Sequence, residues 1–544
     1  MLSDVGKLYL NRGKSKEALS YLNQALDIFK ELFGEEHPET SAIYEYIGSV
    51  YQFKKDYENA LKNVNKALDL NKKILGDNHP DISYIYNKIG LIYKEMKEYD
   101  KALEYLNLAL KLNTDAVGEY HPLNAILYNN FSLIYEDLGN LKSAIQSIQK
   151  QIDINEGIDP EGWDLAVSYS NMAKLLNQDQ QYERAIEYGK KAIDSLEKLD
   201  KYTTVSYFDA IDNVAESFNN LHNTDLSIEY YTKGYEHALK DENISYQIFY
   251  LERLGEIYKE TANWSRRIEA LEKAIELSKI LDRQDPVSLA SDFSAIADSY
   301  KSLGEYDKAL ENNLNAFEIR KELYDDSNDA YIENYYYIGE NYYLLENWEK
   351  AIEIISDVSE TLKSLKGINN QFFLNTLEYL GTAHSNLGDY IQALYYFMEA
   401  LKISREFDAQ FYVFKYLGLI GKVHIELKNN EEALKYFLES HELCSSLYVK
   451  NCQEYIDTLE QLGLCLYNLD RSDEALKYIE EAYNIGVEAE LPDLQAYYLN
   501  QLGYIFYDLE DFATAKQKFE ASIKLLPEDH PTALDSQNML DEIS

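Results

Sequence analysis

Histidines recur in this sequence at a spacing that invites comparison with a metal site. His37, His79 and His121 follow one another every 42 residues, and each stands directly before a proline. Zinc binds nitrogen ligands at about 2 Å, and residues one repeat apart along a stacked chain are too distant to share such an ion. A histidine before proline instead indicates a loop residue at the start of a helix. No metal site and no cofactor is predicted.

Other signatures of catalysis are missing from the sequence. It contains no Gly-x-Gly-x-x-Gly, Gly-x-x-x-x-Gly-Lys-Ser/Thr, His-Glu-x-x-His or Gly-x-Ser-x-Gly motif, the patterns that hold nucleotides, a catalytic zinc ion or a nucleophilic serine. His384 and His424 stand at positions that are otherwise aromatic and are expected to pack, and Cys465 is expected to be buried. The chain is therefore predicted not to be an enzyme.

The charge of the chain disfavours two classes of partner. Its 544 residues include 95 acidic and 52 basic side chains, a formal net charge of −43. Nucleic acid needs a Lys/Arg surface that displaces counterions, and anionic membranes attract the same residues, so neither partner is expected. Three cysteines without a Cys-x-x-Cys pair favour a reducing, cytoplasmic location. No run of about 18 apolar residues predicts a membrane span.

An internal repeat organises the remaining residues. Its most regular feature is a small residue beside an apolar one, with an aromatic residue three positions later, as in Tyr46-Ile-Gly-Ser-Val-Tyr51 and Lys88-Ile-Gly-Leu-Ile-Tyr93. We call this small residue the anchor and number positions from it. Thirteen anchors follow one another at intervals of 40 to 42 residues: Gly6, Gly48, Gly90, Ser132, Ala173, Ala215, Gly255, Ala297, Gly339, Gly381, Gly421, Gly463 and Gly503.

Each repeat is predicted to contain two antiparallel helices. Alanine stands twelve residues after eleven of the thirteen anchors, whereas the sixth and seventh repeats carry Ser227 and Arg267 there. Apolar residues surround both small positions at helical spacing, so the two backbones are expected to approach each other closely. All eight prolines fall between repeats, where a proline presets the first turn of a helix.

These features resemble the tetratricopeptide repeat, with its small residue, aromatic residue, second alanine and terminal proline. The 42-residue period and the Gly34-Glu-Glu-His-Pro38 linker are similar to the kinesin-light-chain type. The resemblance implies an all-α fold, a right-handed superhelix (α-solenoid) of about thirteen helix-turn-helix repeats with a C-terminal capping helix. We predict one continuous solenoid with repeats one to six in 1–240, repeats seven to thirteen in 241–526, a boundary near 241–245 and a cap in 527–544.

In such a superhelix the first helix of each repeat lines the concave groove, and the resemblance places positions −6, −3, −2, +1, +4 and +5 on that side. Asparagine recurs there over four repeats, and its amide can pair with the backbone of an extended peptide irrespective of sequence. The alternative is that these are solvated polar positions in an Asn-rich chain. The candidate residues are Asn87, Lys88, Asn129, Asn130, Asn171 and Asn213.

Two further sets of groove residues are candidates for ligand contacts. Position +1 is acidic in four consecutive repeats, which would suit Lys or Arg on a ligand, although acids are common throughout the chain and nearby Lys and Arg could neutralise some of them. Exposed tyrosines supply amphipathic contact area, although Tyr too is abundant here. The acidic set is Glu216, Glu256, Asp298 and Glu340, and the aromatic set is Tyr336, Tyr337, Tyr343 and Tyr379.

The sequence therefore predicts a non-catalytic scaffold or adaptor that binds a protein or an extended, possibly basic, peptide segment in its groove. The alternative is a regulatory sensor, an array that changes superhelical pitch on binding a peptide and controls a partner enzyme. A nearest-neighbour solenoid makes such pitch changes plausible.

Overall fold

The structure is a computed structural model that describes residues 2–281, 285–365, 370–447 and 453–543. The described residues form 27 α-helices and no strand. The chain divides into two compact units, Met1–Arg283 and Gln284–Ser544. The boundary predicted near 241–245 falls within the first unit, between two helices that pack against each other.

The first unit contains fourteen helices: α1 (Leu2–Asn11), α2 (Ser15–Phe33), α3 (Pro38–Phe53), α4 (Tyr57–Leu75), α5 (Asp81–Glu95), α6 (Tyr99–Val117), α7 (Pro122–Asp137), α8 (Leu141–Ile158), α9 (Trp163–Gln178), α10 (Tyr182–Lys198), α11 (Val205–Asn220), α12 (Thr224–Lys240), α13 (Ile244–Glu260) and α14 (Trp264–Ser278). The second unit contains thirteen: α15 (Pro286–Ser302), α16 (Tyr306–Leu323), α17 (Asp329–Leu344), α18 (Trp348–Ser364), α19 (Asn370–Asn386), α20 (Tyr390–Glu406), α21 (Gln410–Glu426), α22 (Asn430–Leu447), α23 (Gln453–Tyr467), α24 (Ser472–Glu488), α25 (Pro492–Asp508), α26 (Phe512–Ile523) and α27 (Pro531–Ile543).

The helices form successive pairs in which each member packs mainly on its neighbours in sequence. Every anchor lies in the first helix of a pair, here called the A helix, and the following B helix carries the second small position. Seven pairs lie in the first unit and six in the second, and α27 packs its Leu540 near Ala515 and Phe519 of the last pair. The all-α solenoid of thirteen helix pairs with a C-terminal helix is thus confirmed.

The anchors permit the close approach that the repeat predicts. A Cβ atom added to Gly48 would lie 2.5 Å from Val64, and one added to Gly421 would lie 2.5 Å from Phe437, in each case a residue sixteen positions later on the B helix. Arg267, which replaces the alanine of the seventh repeat, is buried, and its Nη2 lies 3.9 Å from Glu256 Oε1.

The turn between the two helices of each pair contains a residue in the left-handed conformation, which was not predicted from the sequence. Position +7 adopts a positive φ of 52° to 76° in all thirteen repeats, although glycine, the residue most tolerant of it, occupies only four of these positions. These residues are Gly13, Lys55, Lys97, Gly139, Gln180, His222, Ala262, Gly304, Glu346, Gly388, Lys428, Asp470 and Glu510.

The recurring histidines begin helices, as predicted. Nδ1 of His37 accepts a hydrogen bond from the Glu39 amide, Nδ1 of His121 accepts from the Leu123 amide, and in both helices the next residue is a proline in the first turn. Nδ1 of His79 accepts in the same way from Asp81 N. These contacts satisfy amide groups that have no partner within the helix.

Candidate functional site

The A-helix face, which we define as positions −3, −2, +1 and +4 of the A helices, links several successive repeats through its side chains. Asn130 Nδ2 on α7 donates to Asn87 Oδ1 on α5 over 2.8 Å. Asn171 Nδ2 on α9 donates to Asn129 Oδ1 on α7 over 3.2 Å. Both bonds join position −2 of one repeat to position −3 of the repeat before it. Three repeats are therefore connected by two amide pairs.

An ion pair occupies the same register one repeat earlier. Lys88 Nζ lies 3.7 Å from Glu45 Oε2 and 3.4 Å from the Glu45 carbonyl oxygen. Burial raises the pKa of Glu45 and lowers the pKa of Lys88, and the attraction between the two only partly offsets these shifts. The ammonium group of Lys88 is therefore paired with Glu45 of the neighbouring repeat within the fold.

Asn213 does not continue the row of amide pairs. Its side chain is buried, and its Nδ2 donates over 2.7 Å to the carbonyl oxygen of Asp209 in its own helix. The corresponding position of the preceding repeat, Ser170, donates to the Ser206 carbonyl instead. Of the predicted asparagines, four are thus brought together as pairs and one is not.

Acidic side chains gather on α11 of the first unit. Glu216 Oε2 accepts a hydrogen bond of 2.6 Å from Asn177, and Asp212 Oδ1 lies 3.6 Å from Arg253 Nε. Burial raises the pKa of Asp212 to about 6 despite Arg253, and the charges of Glu216 and Asp209 add to this effect. Burial also raises the pKa of Asp209. Glu256, one repeat further, is 65% exposed at its side chain.

The other two predicted acids lie in the second unit. Glu340 is only 12% exposed at its side chain, because it accepts hydrogen bonds of 2.9 Å from both Lys301 Nζ and Tyr379 Oη. Asp298 is half-buried on α15. Glu340 therefore has two neighbouring donors before any ligand is considered.

The predicted tyrosines form one aromatic cluster, but one of them is not exposed. The rings of Tyr343 and Tyr379 have centroids 4.6 Å apart. Tyr336 is 4% exposed, because Phe372 of the next A helix packs on it at 4.5 Å. The half-buried Tyr337 lies under Lys301, and burial raises its pKa to about 12. Tyr343 and Tyr379 are the members of this set that fit the expected role best.

A second row of contacts, at position +4, was not predicted. Gln52 Nε2 donates to Glu95 over 2.7 Å, and Lys94 Nζ lies 3.1 Å from Asp137. The signal that could have found both rows is complementarity of side chains one repeat length apart, as between Lys94 and Asp137.

His384, His424 and Cys465 pack in the fold, and the histidines and cysteines of the described residues form no metal site. The described ranges hold no group of three or more His, Cys, Asp or Glu side chains placed to bind a metal ion. His384 stacks on Tyr396 and His424 on Tyr436, each with ring centroids 5.5 Å apart, and Cys465 is buried, so all three pack as predicted. No helix in the described part of the chain combines the length and the apolar character that crossing a bilayer requires.

The repeats match a known family. The tetratricopeptide-repeat family matches residues 1–73, 39–115, 81–157, 290–364, 335–406, 372–446, 412–486 and 454–528, and a second tetratricopeptide-repeat family matches residues 165–199. No curated protein matches the chain. Two solved structures, both of nearly identical TPR-like repeats from a Podosopora anserina protein classed with the kinesin light chains, are similar to it. Each is 17% identical, covers 37% of this chain and 95% of its own, and has a TM-score of 0.33.

Proposed function

The chain belongs to the tetratricopeptide-repeat family, whose repeats generally mediate protein–protein interaction. On that premise we propose that it is a non-catalytic scaffold that binds an extended protein segment on its A-helix face. The proposed cytoplasmic location agrees with Cys465, which is a buried free thiol.

The amide pairs of the first unit carry this proposal. After Asn87 and Asn129 have each accepted a hydrogen bond, both keep an Nδ2 group that makes no hydrogen bond to the described residues. An Asn side chain offers two N–H donors and one oxygen with two lone pairs. Both asparagines are half-buried and lie one repeat apart, so they offer a row of donors to the carbonyl groups of an extended chain.

The acids on α11 favour a ligand with basic residues. Asp209, Asp212 and Glu216 lie within two turns of one helix. Arg253 lies near Asp212 and Lys174 lies near Asp209, so two cations accompany three carboxylates. Like charges packed together in a partly buried site attract a cation. We propose that Lys or Arg residues of the bound segment face these three carboxylates.

The test uses peptides selected on the full chain. Random 12-residue peptides displayed on phage are enriched on the immobilised protein, and the affinity of each enriched peptide is compared between wild type and Asn87→Ala/Asn129→Ala. Each lost hydrogen bond is worth about 0.5–1.5 kcal/mol, so we expect binding to weaken about tenfold. Asn107→Ala, on the B helix α6, is the matched control, since Asn107 donates only to the carbonyl of Leu103.

If every enriched peptide binds the double variant as tightly as wild type, and that variant melts as a folded protein, the proposed role of the amide row is overturned. The alternative, a regulatory sensor that changes its superhelix on binding, is distinguished by solution scattering of the chain with and without an enriched peptide. A profile that peptide leaves unchanged argues for the scaffold.

A further inference from the structure

The A-helix face has a gap in the eleventh repeat, where position −3 is Gly418 on α21. A Cβ atom added to Gly418 would meet nothing within 4 Å, whereas one added to Gly421, one turn later, would lie 2.5 Å from Phe437. Glycine inside a helix destabilises it relative to alanine. The packing of the repeat therefore explains Gly421 but gives no reason for Gly418.

The missing side chain leaves a cavity of 210 Å³ between α21, α22 and α23. In the second, third, fourth and sixth repeats the residue at −3 contacts the residue at −2 of the next repeat. The residue at −2 of the next repeat is here Gln461, in the cavity wall. Apolar side chains of Phe414, Leu419 and Phe437 line its interior. An apolar cavity of about 150 Å³ can hold benzene, so this space is large enough for one Leu or Phe side chain. We call it the Gly418 pocket.

In the part of the chain that the structure describes, the acidic side chains at the mouth of the pocket have no basic partner, whereas one of its two lysines already has an acidic partner. Glu454 and Asp457 lie one turn apart on α23, and no cation of the described residues is within ion-pair distance of either. Asp457 accepts a hydrogen bond from Gln453. Across the mouth, Lys415 Nζ is paired with Glu378 at 2.6 Å. Among the described residues that line the pocket, Lys422 is thus the one cation without an ion pair, whereas two carboxylates, Glu454 and Asp457, have none.

We propose that the Gly418 pocket receives one large apolar side chain of an extended protein segment, and that a Lys or Arg beside it faces Glu454 and Asp457. This inference rests on the proposed function and adds to it the chemistry of the bound segment at the eleventh and twelfth repeats. The apolar side chain would be desolvated by the phenylalanine rings, while the basic residue would remain at the open rim.

A Cβ atom at Gly418 would meet open space, so substitution of this glycine tests the pocket directly. Phage-displayed 12-residue peptides are enriched on the full chain. Those that bind the Asn87→Ala/Asn129→Ala variant as tightly as wild type are then measured on Gly418→Ala and Gly418→Leu. We expect the enriched peptides to share an apolar residue next to Lys or Arg. Gly418→Leu should weaken them at least tenfold, Gly418→Ala should weaken them less, and thermal melting should show neither variant to be destabilised.

The rim is tested with Glu454→Gln/Asp457→Asn, against Glu480→Gln/Glu488→Gln on the exposed side of α24 as the control. The first variant should bind the same peptides more weakly and with a shallower dependence on salt, and the control should match wild type. If Gly418→Leu weakens no enriched peptide while Asn87→Ala/Asn129→Ala weakens some, this inference is overturned and the proposed function stays intact. A selection that enriches no peptide at all would overturn both.

Discussion

The side-chain amide of Asn130 donates a hydrogen bond of 2.8 Å to the amide oxygen of Asn87, which precedes it by 43 residues and one repeat. The same −2 to −3 link joins Lys88 to Glu45 and brings Arg253 to Asp212. Because each repeat of a solenoid contacts only its neighbours, such links are part of the nearest-neighbour term that holds the array together. The A-helix face therefore serves the fold as well as any ligand.

The link between Asn130 and Asn87 should be measurable as a coupling energy. In a double-mutant cycle of Asn87→Ala and Asn130→Ala, we expect a coupling of about 0.5–1.5 kcal/mol. Native-state hydrogen exchange of amides in α5 and α7 would report it as a local free energy of opening. A cycle of Asn87→Ala with Asn107→Ala is the control and should be additive. Additivity in the first cycle as well would show that the bond contributes nothing.

Two glycines three residues apart in α21 should respond oppositely to alanine. Gly421→Ala places a methyl group against Phe437, so we expect it to destabilise the chain by about 1–3 kcal/mol. Gly418→Ala meets open space and should stabilise the helix by about 0.5–1 kcal/mol. The thermal midpoints should therefore move in opposite directions. A fall in both midpoints would contradict the open space that the structure shows at Gly418.

Position +7 should favour glycine wherever another residue now holds the left-handed turn. Glu346 has a φ of 57°, so Glu346→Gly should relieve strain and raise stability by up to about 1 kcal/mol. Gly388, with a φ of 75°, should lose a similar amount on substitution by alanine. Thermal melting of both variants checks the prediction, and a Glu346→Gly variant less stable than wild type would refute it.

The buried carboxyl of Asp212 should make stability depend on pH. Its pKa is raised from an ordinary value of 3.8 to about 6, so between these values the folded chain retains a proton that the unfolded chain has lost. Its contribution to stability is therefore fully present below the ordinary value and is lost as the pH rises to about 6. Asp212→Asn should remove this loss and gain about 1–3 kcal/mol at neutral pH.

Denaturant titrations of the Asp212→Asn variant from pH 4 to pH 7 measure this effect. Glu229→Gln, which changes an exposed carboxylate on α12, serves as the control and should keep the wild-type dependence on pH. If Asp212→Asn also keeps that dependence, the carboxyl is not perturbed in the folded chain.

The repeat could be predicted closely because its determinants are local and recur thirteen times. Small anchors, prolines between repeats and histidines before prolines each constrain backbone geometry at one position, and the structure confirms the helix pairs and the histidine caps. The left-handed turn at +7 escaped prediction because residues as different as Lys97, His222 and Ala262 occupy it.

The chemistry of the A-helix face was harder to predict, because a polar side chain there has several possible partners. Spacing placed Asn87 and Asn130 on one face, but it did not show that they bond to each other. Tyr336 was expected to be exposed, yet a neighbour 36 residues away in sequence, Phe372, covers it. Gly418 could not be recognised from the sequence as part of a site, because a glycine offers no side chain whose chemistry would indicate a ligand.

The central claim is that the A helices form the binding face, and photocrosslinking tests it most directly. A 12-residue peptide enriched on the full chain is synthesised with a benzophenone side chain at its centre, and the crosslinked residues are mapped by mass spectrometry. We expect adducts on A helices, such as α5, α7 and α9 or α21 and α23. Adducts confined to the exposed sides of B helices, such as α6 and α8, would contradict it.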